Sequence, residues 1–189
     1  MIALWVILGI IVILIFVFIG IYNGLVKLRN AVKNAWAQID VQLKRRHDLI
    51  PNLVETVKGY RDFERGTLEA VIKARGAAVQ ASQSGAGPAA QGKVEGELSS
   101  ALGRLMVVVE RYPDLKANTN FLALQEELSS TENKIAFSRQ YYNDSVLHYN
   151  NQTQMFPSNV VANMGGFKQA EFFEVTAEAE RQAPKVSFS

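Results

Sequence analysis

The chain of 189 residues carries 20 basic and 18 acidic side chains, a net charge of +2, and contains no cysteine. The absence of cysteine excludes disulfides, thiolate chemistry, cysteine-based metal sites and attachment to a membrane through a lipidated cysteine. The nearly balanced charge argues against a dedicated nucleic-acid-binding protein, which concentrates lysine and arginine in one patch.

An apolar run without a charged residue extends from Ile2 to Ile21. As a helix it spans about 30 Å, the hydrocarbon thickness of a bilayer, where every backbone polar group must be satisfied within the segment. A secretory signal peptide would need basic residues before the run and an A-x-A cleavage pattern after it, and the sequence has neither. Few soluble helices are apolar on every face. We therefore predict a transmembrane anchor over residues 1–22.

Basic residues follow this anchor, whereas only the α-amino group precedes it. They are Lys27, Arg29, Lys33, Lys44, Arg45 and Arg46. The positive-inside rule therefore predicts a single-pass protein of the bacterial cytoplasmic (inner) membrane with its C-terminal domain in the cytoplasm.

A stripe of mostly apolar residues with an average period of 3.5 runs from Val32 to Ala74. Pro51 lies within it and would remove one helical hydrogen bond. The stripe keeps its phase across Pro51 and no nearby glycine could form a hairpin. One long kinked helix is therefore favoured over a break at which Pro51 opens a second helix.

Between residues 79 and 96 alanine, glycine, serine and glutamine dominate, which predicts a mobile loop. A second helix is predicted up to Pro113, and a third, long helix from about Ala117 to Asn151. Ser158 could cap a short fourth helix before Gly165 and Gly166.

The bundle domain predicted in this way covers residues 23–166, and a tail follows over residues 167–189. Its apolar residues predict a tail that packs on the bundle and is extended near its end. They are Phe172, Phe173, Val175, Val186 and Phe188. The predicted fold class is all-α: a transmembrane helix that continues into a long helix, an antiparallel bundle of three long helices and a short fourth, and an extended tail.

No set of side chains forms a recognisable catalytic, cofactor or metal site. His47 and Asp48 are adjacent on a helix and point about 100° apart, so they do not pair as a catalytic dyad does. His148 has no partner at metal-ligand spacing, and Ser129 has no histidine base near it in sequence. We therefore predict no enzyme activity, no cofactor and no small-molecule substrate.

Charged residues occupy stripe positions where apolar side chains are expected. They are Arg46, Glu64, Glu132 and Arg139. Burying one of them alone would cost several kcal/mol, so each should find a partner or reach solvent, and pairing that fixes the helix register is favoured over a polar site. With the third helix parallel to the first, helix lengths place Arg75 level with Glu132 and predict that these two residues pair.

The same comparison of helix lengths leaves the lower part of the first helix without a partner inside the chain. Its apolar face carries Val32, Trp36, Ile39, Leu43 and Ile50. Such a stripe rarely stays exposed on a monomer, which predicts a homo-oligomer packed through these residues.

The stretches RRHDLIPNLV (residues 45–54) and YPDLKAN (residues 112–118), with the downstream EL and TEN motifs, closely resemble the LemA family. The resemblance covers the chain from about Tyr22 to the tail. It implies a mostly helical bundle behind an N-terminal membrane attachment and no established catalytic activity. It also implies links to envelope stress, to membrane proteases and to membrane shaping in bacterial organelles. Some relatives are anchored by a lipidated cysteine, which this chain lacks.

These observations together predict a non-enzymatic, membrane-anchored scaffold that self-assembles at the bilayer and shapes membrane or organises partners. The alternative is an adaptor or regulator of a membrane protease or sensor. The predicted partners are the lipid bilayer, further copies of the chain and other membrane proteins, but not nucleic acid.

Overall fold

The computed structural model describes residues 1–60 and 63–174, and within these ranges it contains six helices and no strand. The helices are α1 (Ile2–Lys58), α2 (Arg65–Gln83), α3 (Pro88–Val109), α4 (Pro113–Lys116), α5 (Thr119–Gln154) and α6 (Ser158–Met164). The predicted all-α class is confirmed.

The chain divides into two compact units, and α1 and α5 contribute to both. Unit 1 contains Met1–Gln38 and Ser138–Glu171, and unit 2 contains Ile39–Phe137 and the residues from Phe172 onwards.

Helix α1 continues through Pro51 and ends at Lys58, so the prediction of one helix across the proline is confirmed. The predicted extension to Ala74 is wrong, because the chain turns after Gly59 and a new helix, α2, begins at Arg65. The apolar residues beyond the turn, such as Val71, keep the stripe's phase but belong to the buried face of α2. Phase alone therefore did not distinguish one helix from two.

The segment predicted as a loop over residues 79–96 is mostly helical, and only residues 84–87 separate α2 from α3. Gly85 adopts a φ of 67° after α2, and Ala86 N–H donates to Ala81 O at 3.0 Å, which ends the helix with a left-handed cap. Pro88 then opens α3 at the first helical position. The low content of large side chains was misleading, because alanine is the strongest helix former.

Unit 2 is a four-helix bundle made from α2, α3 and the parts of α1 and α5 that lie in it. Arg75 of α2 bonds to His47 of α1, and Ser82 further along α2 lies 3.5 Å from Asp40, earlier in α1. Helix α2 is therefore antiparallel to α1, and the short connection to α3 reverses the direction again.

Helix α5 is antiparallel to α1, which corrects the predicted parallel arrangement. In unit 2, Arg46 bonds to Glu132 at 2.7 Å, and Tyr60, just beyond the end of α1, bonds to Asn118, immediately before α5. The prediction failed because α2 was taken as the end of α1, so one reversal of the chain direction was missed. The bundle core is apolar and includes Ile50, Leu53, Val57, Leu98, Leu105, Leu115, Phe121 and Leu128.

Asn118 determines where α5 begins. Its side-chain oxygen accepts the backbone N–H groups of Asn120 and Phe121, both at 3.0 Å, as an N-cap residue does.

Unit 1 combines the apolar start of α1 with the second half of α5, helix α6 and an extended segment after it. Trp36 packs on Tyr142 with ring centroids 5.4 Å apart, and Tyr22 meets Phe167 edge to face at 5.4 Å. Side chains on α5 bind the main chain of residues 168–171, as in the bond from Tyr149 Oη to Lys168 O at 2.8 Å.

The tail was predicted to pack on the bundle, and its described part is residues 167–174. Within it Phe167 and Phe173 are buried and Phe172 is half-buried. Val175, Val186 and Phe188, which contributed to the same prediction, lie outside the described residues.

The side chains of residues 2–19 face outward, and α1 is the one helix of the described residues long and apolar enough to cross a membrane.

Candidate functional site

Arg46 lies in the interior of unit 2, with 1% of its side chain exposed. Its Nη1 donates to Glu132 Oε1 at 2.7 Å and to Ser99 Oγ at 2.9 Å, and its Nη2 pairs with the carboxylate of Glu95. Glu95 comes from α3 and Glu132 from α5. One guanidinium of α1 therefore binds two further helices.

Glu95 also contacts Gln91 and His47, and these two residues connect the buried cluster to α2. Its Oε1 accepts from Gln91 Nε2 at 2.6 Å and lies 2.9 Å from His47 Nε2. Gln91 Nε2 also lies 3.3 Å from Ala78 O, and Arg75 Nε donates to His47 O at 2.7 Å. All four helices of the bundle thus contribute a group to the polar cluster.

The surrounding charges keep the buried ions ionised. Burial would raise the pKa of Glu95, but the hydrogen bond with His47 and the charge of Arg46 outweigh it and hold that pKa below its usual value. Burial would likewise lower the pKa of Arg46, and the carboxylates of Glu132 and Glu95 raise it above its usual value instead. The Arg46–Glu95 ion pair therefore persists at physiological pH.

The cluster offers little for catalysis, because its acidic and basic side chains bind one another. Ser99 Oγ contacts Arg46, a donor that cannot accept a proton and so cannot act as a general base. His47 Nε2 is engaged by Glu95. Among the described residues no group of three or more His, Asp or Glu side chains is arranged to hold a metal ion. The arrangement is suited to fixing how the four helices pack.

Two open grooves flank the cluster in unit 2. One, of about 360 Å³, lies between α3 and α5, and its residues are Ser99, Leu102, Gly103, Met106, Gln125, Leu128, Ser129 and Glu132. The other, of about 380 Å³, lies between α1 and α2, and its residues are Asp40, Lys44, His47, Asp48, Arg75, Val79, Ser82 and Gln83. Glu132 and His47, at the two ends of the cluster, thus line opposite grooves.

The predicted pairing of Arg75 with Glu132 is wrong, because Glu132 binds Arg46 and Arg75 binds the main chain of His47. This prediction depended on the parallel arrangement of the first and third helices, which is also wrong. Arg46, which was also identified by its position in the stripe, is the buried arginine that binds Glu132.

The two other stripe charges lie elsewhere. Glu64 forms a surface ion pair with Arg111 at 2.8 Å in unit 2. Arg139 belongs to unit 1.

The stripe predicted as an oligomer interface is covered within the single chain. Val32, Ile39, Leu43 and Ile50 are buried, and Trp36 is half-buried against Tyr142. Because α5 is antiparallel to α1, it runs beside this part of α1 and covers the stripe, which the predicted parallel arrangement left without a partner. In this fold these residues are covered within one chain, and the homo-oligomer itself stays a prediction.

Sequence reasoning missed Gln91 and Glu95, since both fall in the segment taken for a loop. A signal was available: counting back from Leu98 by three and then four residues along the apolar stripe of α3 reaches Glu95 and Gln91. A polar pair at buried phases of one helix, opposite Arg46 at a buried phase of another, would have predicted the cluster.

A family model described as the LemA family matches residues 35–188 of the chain. Protein LemA of Metamycoplasma hominis is 28% identical over 166 residues, which cover 88% of this chain and 74% of the relative. Magnetosome protein MamQ 1 of Paramagnetospirillum magneticum is 28% identical, and magnetosome protein MamQ of Magnetospirillum gryphiswaldense is 26% identical. These matches cover 81% and 80% of this chain, and 64% of each magnetosome protein.

The family match contains every residue of the buried cluster, from Arg46 to Glu132, and extends to the end of α6 and beyond. It covers more than half of the sequence, and the chain belongs to the LemA family.

Proposed function

We propose that this chain is a non-enzymatic scaffold that α1 anchors in a membrane and that holds protein partners at the bilayer. The observation that carries the proposal is the buried cluster of unit 2, whose ionised groups bind one another and hold four helices together. A domain whose buried polar groups stabilise helix packing is suited to present a fixed surface.

The groove between α3 and α5 is the surface we propose for a partner. Its walls carry Leu102, Met106 and Leu128, and Gly103 leaves the floor without a side chain. Glu132, with 39% of its side chain exposed, supplies a carboxylate at one end. An apolar groove with a polar end fits an amphipathic helix of a partner that carries a basic residue.

Membrane orientation follows from the residues after the anchor. Lys27, Arg29 and Lys33 are exposed on α1, and no acidic residue occurs before Asp40. We propose on this basis that the domain lies on the cytoplasmic side of the inner membrane.

Light scattering on the full-length protein in detergent separates the scaffold from the adaptor. A defined homo-oligomer without other proteins supports a self-assembling scaffold that uses a surface other than the α1 stripe. A monomer that co-purifies with one membrane protein supports an adaptor. A monomer that associates with nothing contradicts both proposals.

A matched pair of glycine substitutions tests the groove. A Cβ at Gly103 or at Gly76 would meet no atom within 4 Å, so both Gly103→Leu and Gly76→Leu should fold. We expect only Gly103→Leu to abolish binding of the protein partner or of the second copy that occupies the groove, because the leucine side chain fills the groove. An association that survives Gly103→Leu unchanged excludes the groove as the docking surface.

A further inference from the structure

Unit 1 exposes a compact group of large apolar side chains where α5 ends and α6 begins. Phe156 is 83% exposed and Met164 is 73% exposed, and Met155 and Val160 accompany them. We call these four residues the apolar corner. Met155 and Phe156 lie between α5 and α6, and Val160 and Met164 lie on the exposed side of α6, whose other side buries Val161 and Ala162. Exposed apolar groups of this size mark a contact surface.

The contacts inside unit 1 place the corner at the end of the membrane-spanning run. Trp36 packs on Tyr142, and from this level α1 descends about 21 Å to Tyr22 while α5 descends about 20 Å to Met155. A direct contact gives the same position, because Phe167 meets Tyr22 edge to face.

Phe167 in turn is tied to α6. Its N–H donates to Ala162 O at 2.9 Å, so the ring that touches Tyr22 is fixed to the helix that carries the corner. Tyr22 follows the last residue of the apolar run directly. The corner therefore lies at the level where α1 leaves the hydrocarbon layer.

The sequence around the corner lacks formal charge. From Ser145 to Phe167 there is no Asp, Glu, Lys or Arg, and the polar residues are mainly asparagine, glutamine and serine. Uncharged amide side chains with exposed Phe and Met suit the boundary between headgroups and acyl chains, where an ionised group would be costly.

Basic residues surround this uncharged stretch. The two segments of unit 1 contain five basic side chains and two acidic ones, which gives them a net charge of +3. The basic residues are Lys27, Arg29, Lys33, Arg139 and Lys168, and the acidic residues are Asp144 and Glu171. Arg29 lies over the Phe167 ring, 5.0 Å from its centroid, so one cation is positioned beside the corner. Such an excess favours anionic lipid headgroups.

We propose that the apolar corner inserts into the surface of the same bilayer that α1 crosses, so that unit 1 contacts lipid at two places. Phe156 and Met164 lie among the upper acyl chains, about 5–10 Å below the headgroup boundary, and the neighbouring cations bind lipid phosphates. The bilayer is the occupant because the anchor fixes it at the level of the corner. The proposal rests on the membrane attachment of α1 and not on the scaffold role.

Spin labels on introduced cysteines test this directly, since the chain has no cysteine of its own. Full-length Phe156→Cys is labelled and reconstituted into vesicles that contain phosphatidylglycerol. Collisions with oxygen, which partitions into lipid, are compared with collisions with a water-soluble nickel chelate. We expect the label at 156 to favour oxygen strongly, and Val160→Cys to give the same result from within α6.

Two further labels calibrate the measurement. Tyr141→Cys is the matched control, since Tyr141 is an exposed aromatic residue of the same unit, level with Trp36, and its label should favour the nickel chelate. Ile13→Cys marks the middle of the anchor and should favour oxygen.

Three outcomes would overturn the proposal. A label at 156 as accessible to nickel as the label at 141 means that the corner faces water. A label that neither reagent reaches means that protein covers the corner, as a second copy would. A water-exposed label at 13 means that the anchor itself is wrong, which is distinguishable from failure of the corner alone.

Discussion

Replacing Arg46 with methionine should strongly destabilise unit 2. The substitution leaves the Glu95 carboxylate, with 3% of its side chain exposed, without its cationic partner. Removing one member of a buried ion pair costs about 3–5 kcal/mol, because the remaining charge stays desolvated. For a chain of this size the loss corresponds to a fall in melting temperature of about 6–20 °C.

The adjacent arginine provides the matched control. Arg45 pairs with Glu127 on the surface, and both side chains are largely solvated. Such a pair contributes about 0–1 kcal/mol, so Arg45→Met should unfold close to the wild type. Glu132→Gln should lie between the two, because Glu132 is partly exposed and Arg46 keeps Glu95.

Thermal unfolding of the full-length protein in detergent, followed by circular dichroism at 222 nm, measures all three variants. The double replacement Arg46→Met with Glu95→Leu should recover most of the loss, since two apolar side chains need no partner. An Arg46→Met variant within about 1 kcal/mol of wild type would show that the cluster is hydrated and that its pairing contributes little.

Three further predictions concern other parts of the chain. Burial, reinforced by the charge of Glu171, raises the pKa of Tyr142 to about 12, so the neutral phenol is favoured in the folded state. Stability should therefore be intact below pH 10 and fall by roughly 2 kcal/mol as pH rises through 12. Tyr142→Phe should lose about 1 kcal/mol at pH 7 and show no such fall, and denaturant titrations between pH 7 and 12 measure both effects. A Cβ at Gly92 would lie 2.3 Å from the main-chain oxygen of Glu174, so Gly92→Ala should cost about 1–3 kcal/mol of stability. Gly103 has open space around it, so Gly103→Ala should be neutral or stabilising. Equal melting temperatures for the two variants would contradict the close approach at Gly92. Ser84→Cys, in the exposed loop after α2, should resist a membrane-impermeant thiol reagent on intact cells, and labelling without lysis would reverse the proposed orientation.

Local chemistry predicted the helices better than it predicted their directions. The charge-free run, the phase across Pro51 and the glycine pair after α6 each determine structure within a few residues, and the structure contains all three features. The helix predicted to stop at Pro113 ends at Val109, and Pro113 opens the short helix α4. The turn at Gly59 was missed because the apolar stripe has the same phase on both sides of it.

That one missed turn caused most of the errors in the candidate site. With α1 drawn to Ala74, a bundle of four helices became one of three, and α5 pointed the wrong way. This arrangement places Arg75 opposite Glu132 and leaves the stripe through Leu43 uncovered. A long-range contact depends on the direction of every helix between its two residues, so one error in chain reversal changes all such contacts at once.

The pairing of Arg46 with Glu95 and Glu132 also affects how this sequence can change over evolutionary time. Losing the arginine alone strands Glu95, and losing Glu95 alone strands the arginine, so either single step passes through a destabilised protein. Replacing both with apolar residues should be tolerated, because neither charge is then left without a partner. Positions 46 and 95 should therefore vary together among relatives, whereas position 132, which reaches solvent, should be freer to vary alone.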